Sequence, residues 1–504
     1  MNEDNTYRTI IRTSSIMAAA SVLNVVVGLL RAKVVAVLLG PAGVGLVGLY
    51  HNVLQVGGSI AGLGVGTAGI RRIAHAHRNE LPDDLALVRR SMNLATLVLA
   101  VFGSLAFFLL REPLARIMMG DATKAESLGW LAPGIAFLVV YGTQVAHING
   151  MRRIGDLARL QISSAIIATA LGLAAILWAG ERGIPAYVLS ASLASVAIGQ
   201  FFVGRIGPAP GRRPTAREII DCICKLLAVG FPFMASGLIV VGGFLAVRSM
   251  IEQKLGSIAL GYFQASWAIG MVYINFVLGS MGAEYYPRLS GCIGDHEAAC
   301  ALINDQTEVA LLLAAPLVIG GIAVSPWLIP LLYSDAFGPS VSILHWQLLG
   351  DLPKVASWPL SMVTLAAGAG KTYVFTECVS ISTFLIVAHI TLGAFGIVGS
   401  GISFLAMYLV YLPVVYFLAR RRVGFRWRPA VMVQGLIIMA AAVSTSTLSV
   451  WSQPLAAVLG VVAAVIAFFY GLVRLGAKAE IRGPLGGFVR FANKHLVALV
   501  KHGA

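Results

Sequence analysis

Charge is scarce in this sequence. Asp, Glu, Lys and Arg make up 12% of the 504 residues, while 58% are hydrophobic and the mean hydropathy is +0.85. Soluble domains carry about 25% charged residues, so a water-soluble fold of this size is excluded. Long hydrophilic stretches are also missing. The most extended are about 205–225, 284–308 and the segment after 475, and none is long enough to bury a core of its own. No catalytic domain is therefore expected, and with it no cofactor and no metal site. Cysteine is rare as well, at 5 residues. Cys222, Cys224, Cys292 and Cys300 map to inner loops and Cys378 to the inner end of a span, so no disulfide is expected. The lone Cys222-x-Cys224 pair has no His or Cys neighbours to complete a metal site. A cleavable signal peptide is not legible either, because the first apolar stretch is too long and runs through Arg31 and Lys33.

What the chain has in abundance is apolar runs of about 20 residues, the length that crosses a bilayer as a helix. They recur fourteen times, at about 14–39, 44–70, 88–110, 127–149, 160–180, 185–205, 226–250, 258–283, 309–333, 341–369, 373–394, 397–419, 430–450 and 454–474. The formal charge of +15 would indicate nucleic acid in a soluble protein; in a membrane protein, the placement of the cations matters more than their sum. With the N-terminus inside, paired and tripled arginines such as Arg71-Arg72, Arg152-Arg153 and Arg420-Arg421-Arg422 fall on cytoplasmic segments. The outer loops receive only Arg111, Arg116, Lys124, Arg182 and Lys254. That asymmetry places both termini in the cytoplasm and requires an even number of spans.

An internal repeat organises these spans. Leu39-Gly40-Pro41-Ala42-Gly43-Val44-Gly45-Leu46 joins the first to the second, and Leu255-Gly256-Ser257-Ile258-Ala259-Leu260-Gly261-Tyr262 joins the seventh to the eighth. Each segment follows an in-span arginine, Arg31 or Arg248. Six spans separate the copies, so both keep one orientation, as in transporters whose halves are related by an axis along the membrane normal. The expected fold class is all-α: a polytopic membrane protein with an N-lobe (1–205), a linker (206–225), a C-lobe (226–420) and a further helix pair (421–475). A cytoplasmic amphipathic tail (476–504) follows, with Leu485, Phe488, Val489, Ala492, Leu496 and Leu499 on one face and Arg490, Lys494 and Lys501 on the other. Such a tail suits an anionic phospholipid surface. Two nucleotide-like motifs dissolve on inspection. Gly368-Ala369-Gly370-Lys371-Thr372 lacks the P-loop's first glycine, having Leu365 there, and Gly62-Leu63-Gly64-Val65-Gly66 lies in a span with no preceding strand. Close helix packing explains both better.

Four cations remain inside spans: Arg31, Lys33, Arg248 and Lys354. Each costs at least about 2.5–3.5 kcal/mol in hydrocarbon, so each must face protein, water or ligand. Arginines and lysines from both halves can meet a diphosphate, through forked hydrogen bonds and compact charge respectively. The bland alternative for Arg31, Lys33 and Arg248 is snorkelling to an interface. Lys354 lies mid-span, one turn from Asp351, which either simply neutralises it or shares it with a substrate phosphate or a proton. Glu377 is a second coupling candidate near the inner surface. Asn52, Gln55, Gln264 and Asn275 either hydrogen-bond sugar hydroxyls or tie helices together. Trp267 and Tyr273 stack on sugar rings or anchor helices, and His51, His147, His345 and His389 read as hydrogen-bonded packing residues.

Gly40-Pro41-Ala42-Gly43-Val44-Gly45-Leu46, Gly62-Leu63-Gly64, Gly261-Tyr262-Phe263-Gln264 and Tyr285-Tyr286-Pro287-Arg288-Leu289-Ser290 together resemble the Wzx-type O-antigen and enterobacterial-common-antigen flippases. Those belong to the MATE-like MOP superfamily, which also holds multidrug exporters and lipid II flippases. The resemblance covers about residues 9–428. It implies a two-lobed transporter that moves undecaprenyl-diphosphate-linked oligosaccharide from the inner to the outer leaflet of the bacterial inner membrane. Substrate would bind between the lobes near mid-membrane, working as a monomer alongside polysaccharide polymerase or assembly proteins, with no nucleic-acid partner. Competing readings are a lipid II flippase, a cation-coupled multidrug exporter and a membrane scaffold. Every Asp and Glu before residue 225 maps to a loop or a span edge, which disfavours the exporter's in-span carboxylate. A scaffold gives no reason to keep four cations in spans.

Overall fold

The structure is a computed structural model. It describes residues 3–478 apart from 208–210 and 213; for 3–20, 273, 275, 276, 280, 283, 477 and 478 only the backbone is described. The expected amphipathic tail lies almost wholly outside the described residues. Every element among them is helical. They are α1 (Glu3–Gly62), α2 (Val65–Arg78), α3 (Pro82–Leu109), α4 (Arg111–Met119), α5 (Ala125–Gly129), α6 (Ala132–Gly150), α7 (Ile154–Ala179), α8 (Ile184–Gly204), α9 (Ala216–Cys292), α10 (His296–Leu332), α11 (Ser340–Ala366), α12 (Gly370–Phe395), α13 (Val398–Val423), α14 (Pro429–Trp451) and α15 (Gln453–Lys478).

Among the described residues nine helical stretches are long and apolar enough to cross a membrane, or ten with the bent pair Ala122–Gly129 and Ala132–Gly150. Three of the nine hold two spans each: one breaks at Gly40, one comprises α7 and α8, and one breaks at Gly256. α11 completes the set. It is less apolar because it carries His345, Gln347, Asp351 and Lys354, yet its faces are mostly buried. Each of the fourteen apolar runs is thus predominantly helical.

The two repeat glycines explain how long helices become paired spans. Gly40 has φ 61° and ψ −167°, and Gly256 has φ 81° and ψ 175°. Only glycine adopts that region readily, so the helix stops and restarts at equivalent points of the two halves. Pro41 then occupies the first turn of the restarted helix, where its missing N–H costs nothing. The second span differs from its sequence reading, which ran unbroken over 44–70. Leu63 and Gly64 are left-handed, and α2 begins a new basic, amphipathic helix there. The reason is steric: a Cβ on Gly64 would fall on the Gly230 carbonyl, so two backbones meet where side chains would not fit.

The residues form two compact units, one running to Gln264 and including Leu332–Phe337, the other comprising Ala265–Leu331 and the chain from Gly338 onward. The linker around 206–225 lies within the first, and α9 contributes to both. In the first unit, the two repeat segments pack backbone to backbone. A Cβ on Gly45 would meet the Ser257 carbonyl and the Gly261 nitrogen, and one on Gly261 would meet the Pro41 carbonyl. Beside this contact, Lys124 Nζ lies 2.9 Å from Glu252 Oε1, which also accepts from Ser257 Oγ at 2.7 Å, and Gln253 donates to the Ile117 carbonyl. In the second unit, α10 holds the C-terminal helix pair: Arg428 is 2.7 Å from Asp305, and Arg474 is 3.5 Å from Glu308.

A Cβ at Gly256 would meet nothing within 4 Å, so Gly256→Ala isolates backbone strain, whereas Gly261→Ala adds a steric clash. The expected destabilisation is about 1–3 kcal/mol for Gly256→Ala and more for Gly261→Ala. Gly242→Ala, a helical glycine with Leu238 3.9 Å away, should hold or raise stability. Thermal unfolding of the three purified variants in detergent, followed by intrinsic fluorescence, checks that order.

Candidate substrate-binding site

In the first unit both repeat arginines lie within electrostatic reach of one histidine. Arg31 and His51 lie on either side of the Gly40 break, and Arg248 precedes the matching break at Gly256. Both guanidiniums act electrostatically on the His51 ring. Arg248 is 2% exposed. Its Nε donates to Gln264 Oε1 at 3.2 Å, its Nη1 to the Phe244 carbonyl at 3.2 Å, and its guanidinium stands 5.4 Å from the Phe263 ring centroid. A buried cation is tolerable only with such acceptors, because an unpaired one loses its hydration without recompense. Gln264 thus belongs with Arg248. Gly48 makes room for it, since a Cβ there would strike the Gln264 amide.

Arg31 is half-buried and lies 5.9 Å from the Tyr187 ring centroid, a cation–π contact. It opens on a cavity of about 310 Å³ lined also by Asn24, Tyr141, Gln161, Ser164 and Ser195. Asn24 Oδ1 and Ser164 Oγ are buried there with no hydrogen-bond partner among the described residues. Buried polar atoms are usually satisfied, so two orphans beside a cation mark a place that a polar ligand or water completes. A second cavity of about 500 Å³ shares Tyr141 and is lined by Gln55, Ser59, Thr67, Thr143 and Phe233 among others. Gln55 Nε2 lies 3.3 Å from His51 Nε2, and both side chains are exposed. No carboxylate lines either cavity. Arg31 with amides and hydroxyls and without acid is the donor-rich surface that a phosphate or a saccharide needs.

The remaining candidates separate. Asn52 turns its Nδ2 back onto the Gly48 carbonyl, 2.8 Å away on its own helix, and is 8% exposed. Lys33 is half-buried, two residues from Arg31 and therefore on another face of the helix, and lines neither cavity. The side chain of Asn275 lies outside the described residues. In the second unit, Asp351 is fully buried and its Oδ1 lies 3.5 Å from Lys354 Nζ. The ammonium also stands 5.4 Å from the Phe404 ring and 5.6 Å from Tyr408. Glu377 is half-buried, accepting from Tyr411 Oη at 3.0 Å and bonding to Tyr373. Trp267 packs edge-on against Phe404 at 5.6 Å, as an internal aromatic contact. His345 is bonded to Ser325 at 2.8 Å. The residues that sequence reasoning missed around Arg31 are Tyr141, Gln161 and Ser164; His51 was read as packing. Their one legible signal was a polar atom far from the ends of an apolar run.

Comparison with known proteins points one way. The family profile described as polysaccharide biosynthesis protein matches residues 10–292. The lipid III flippases of Escherichia coli (strain K12) and Shigella flexneri are each 22% identical over 417 residues, covering 80% of this chain and 97% of the relative. Among solved structures, an inward-facing multidrug resistance MATE family transporter of the MOP superfamily superposes with TM-score 0.67 at 19% identity, covering 81% of this chain and 98% of the other. The lipid II flippase MurJ in its inward closed conformation superposes with TM-score 0.64 at 14% identity, over 91% and 98%. The fold is accordingly MATE-like.

For the Asp351–Lys354 pair, removing one partner leaves the other charge buried, whereas removing both does not. Asp351→Ala is expected to destabilise the protein by about 3–5 kcal/mol and the Asp351→Leu/Lys354→Met double variant by much less. Unfolding midpoints of both single variants and the double variant measure this; a double-variant loss equal to the sum of the two single losses would mean the pair is not coupled.

Proposed function

The chain belongs to the polysaccharide biosynthesis protein family, and on that premise we propose that it is a multi-pass flippase for an undecaprenyl-diphosphate-linked oligosaccharide. The observation that carries this reading is Arg31 in an acid-free cavity of amides and hydroxyls, with His51 within electrostatic reach of both Arg31 and Arg248. Arg31 and Arg248 take the diphosphate by charge-assisted hydrogen bonds. Gln264 holds Arg248 in place, and Gln55, Tyr141 and Gln161 offer the donors and acceptors that sugar hydroxyls require. The names of the relatives, lipid III and lipid II flippases, support a lipid-linked precursor as the cargo.

Direction follows from topology. With both termini cytoplasmic, the cation-rich segments face the inner leaflet, the side from which a precursor is loaded. The repeat supports an N-lobe of six spans (1–205) and a C-lobe of six (226–420) as the bodies that alternate. Exporting negative charge from a negative interior gains about 2.3 kcal/mol per charge per 100 mV, so the membrane potential favours outward transfer. Asp351 with Lys354, and Glu377 with its tyrosines, are the groups that would couple an ion or proton to resetting. A multidrug exporter of the same fold is the weaker reading, because the cavities around Arg31 and Gln55 lack the carboxylate that would hold a cationic drug or ion.

Arg31→Ala and Arg248→Ala are each expected to abolish export of surface polysaccharide at unchanged protein abundance, with lipid-linked glycan accumulating on the inner leaflet. Arg248→Lys, which keeps the charge but loses the fork, should retain a small fraction. Glycan export by an abundant Arg31→Ala variant at the normal rate would remove Arg31 from the substrate path.

A further inference from the structure

In the second unit, α13 and α14 meet at a basic, aromatic corner. α13 ends in Arg420, Arg421 and Arg422 and is capped by left-handed Gly424. Residues 424–428 lie outside any helix, and Arg428 leads directly into α14 at Pro429. This corner is held firmly. Phe425 is fully buried, the Tyr416 and Trp427 rings stack with centroids 6.3 Å apart and planes 6° from parallel, and Phe425 stands edge-on to both. α10 fixes its backbone: Asn304 Nδ2 donates to the Arg426 carbonyl at 3.0 Å, and the Arg428 amide donates to Asn304 Oδ1 at 2.9 Å.

The rigid corner encloses a cavity of about 660 Å³ lined by Leu412, Pro413, Tyr416, Arg420, Trp427 and Met432, together with Arg426. The other arginines of the segment have other employment. Arg428 pairs with Asp305, Arg422 donates to Thr372 Oγ1 at 3.4 Å, and Arg421 lies 4.4 Å from the Phe417 ring centroid. Arg420 and Arg426 are exposed and make no ion pair among the described residues, and no carboxylate lines the cavity. Two guanidiniums converging on one concavity bind a phosphate by charge-assisted hydrogen bonds.

The other walls identify the source of that phosphate. Leu412, Pro413 and Met432 give the cavity an apolar side, and it continues into outward apolar faces: Leu409 and Val410 on α13, and Val433, Leu436 and Ile437 on α14 are all exposed. Tyr and Trp beside arginine at the end of membrane spans is the composition of a headgroup-level belt. Free phosphate has no use for an apolar wall, whereas a lipid needs both. We propose that this corner binds the phosphate of an anionic phospholipid, with the acyl chains lying along α13 and α14. The site is independent of the substrate reading, since it shares no residue with the Arg31–Arg248 cluster.

The test uses the full-length protein in detergent, titrated with phosphatidylglycerol, phosphatidylcholine or inorganic phosphate while thermal unfolding is followed. Saturable stabilisation by phosphatidylglycerol alone is expected, weakened about thirtyfold in an Arg420→Gln/Arg426→Gln double variant. It should be unchanged in Arg421→Gln. Equal stabilisation by inorganic phosphate would overturn the lipid assignment, and an unaltered titration in the double variant would overturn the site. A second measurement needs no charge removal: quenching by phosphatidylglycerol carrying a nitroxide near its headgroup, compared between the wild type and Trp427→Phe. A wild-type signal quenched preferentially over labelled phosphatidylcholine, with that preference lost in Trp427→Phe, supports the site; no difference between the two proteins refutes it.

Discussion

A guanidinium cannot rest in hydrocarbon without acceptors, and the first unit is arranged around that demand. Arg248 is almost wholly withdrawn from solvent, yet it reaches a glutamine oxygen, a main-chain carbonyl and an aromatic face. Those contacts offset its lost hydration and orient it. A cation supported by neutral dipoles retains its attraction for an incoming anion, whereas one paired with a carboxylate has largely spent it. Elsewhere in the chain Lys354 pairs with Asp351, and Lys124 with Glu252. Arg248 is held by neutral acceptors and an aromatic ring.

The glycines make that arrangement possible. Gly48 leaves space for the Gln264 amide, and Gly45 and Gly261 let two helices approach to backbone contact. The breaks at Gly40 and Gly256 place an arginine near the corresponding end of a helix in each half. Packing, conformation and charge therefore depend on the same short repeated segment, and a substitution there disturbs all three at once. In the second unit the device is different. Asn304, Asp305 and Glu308 on α10 anchor the start of α14 and the end of α15, so the last two spans are docked through polar contacts on a mostly apolar helix.

Much of this was legible from residue pattern. The fourteen spans follow from runs of apolar residues, and the matching breaks follow from the repeated glycines, because both depend on local composition. The in-span cations stood out because charge is so rare around them. Neutral polar residues did not: Tyr141, Gln161 and Ser164 become recognisable only when helices far apart in sequence enclose a cavity. Asn52 and Gln55 show the same limit, since two amides three residues apart have opposite fates, one bonded to its own helix and one exposed beside His51. The interruption at Leu63–Gly64 was hidden because its cause, the nearby Gly230 backbone, lies over a hundred and sixty positions away. Short helices α4 and α5 likewise replace what composition alone marks as a loop.

The central claim is that two arginines and a histidine receive a diphosphate. The most direct measurement is a cryo-electron microscopy reconstruction of the protein in lipid nanodiscs with a short-chain isoprenyl diphosphate. The account predicts diphosphate density within hydrogen-bonding distance of both Arg31 and Arg248, beside His51. Density held elsewhere, with neither Arg31 nor Arg248 in contact with it, would contradict it.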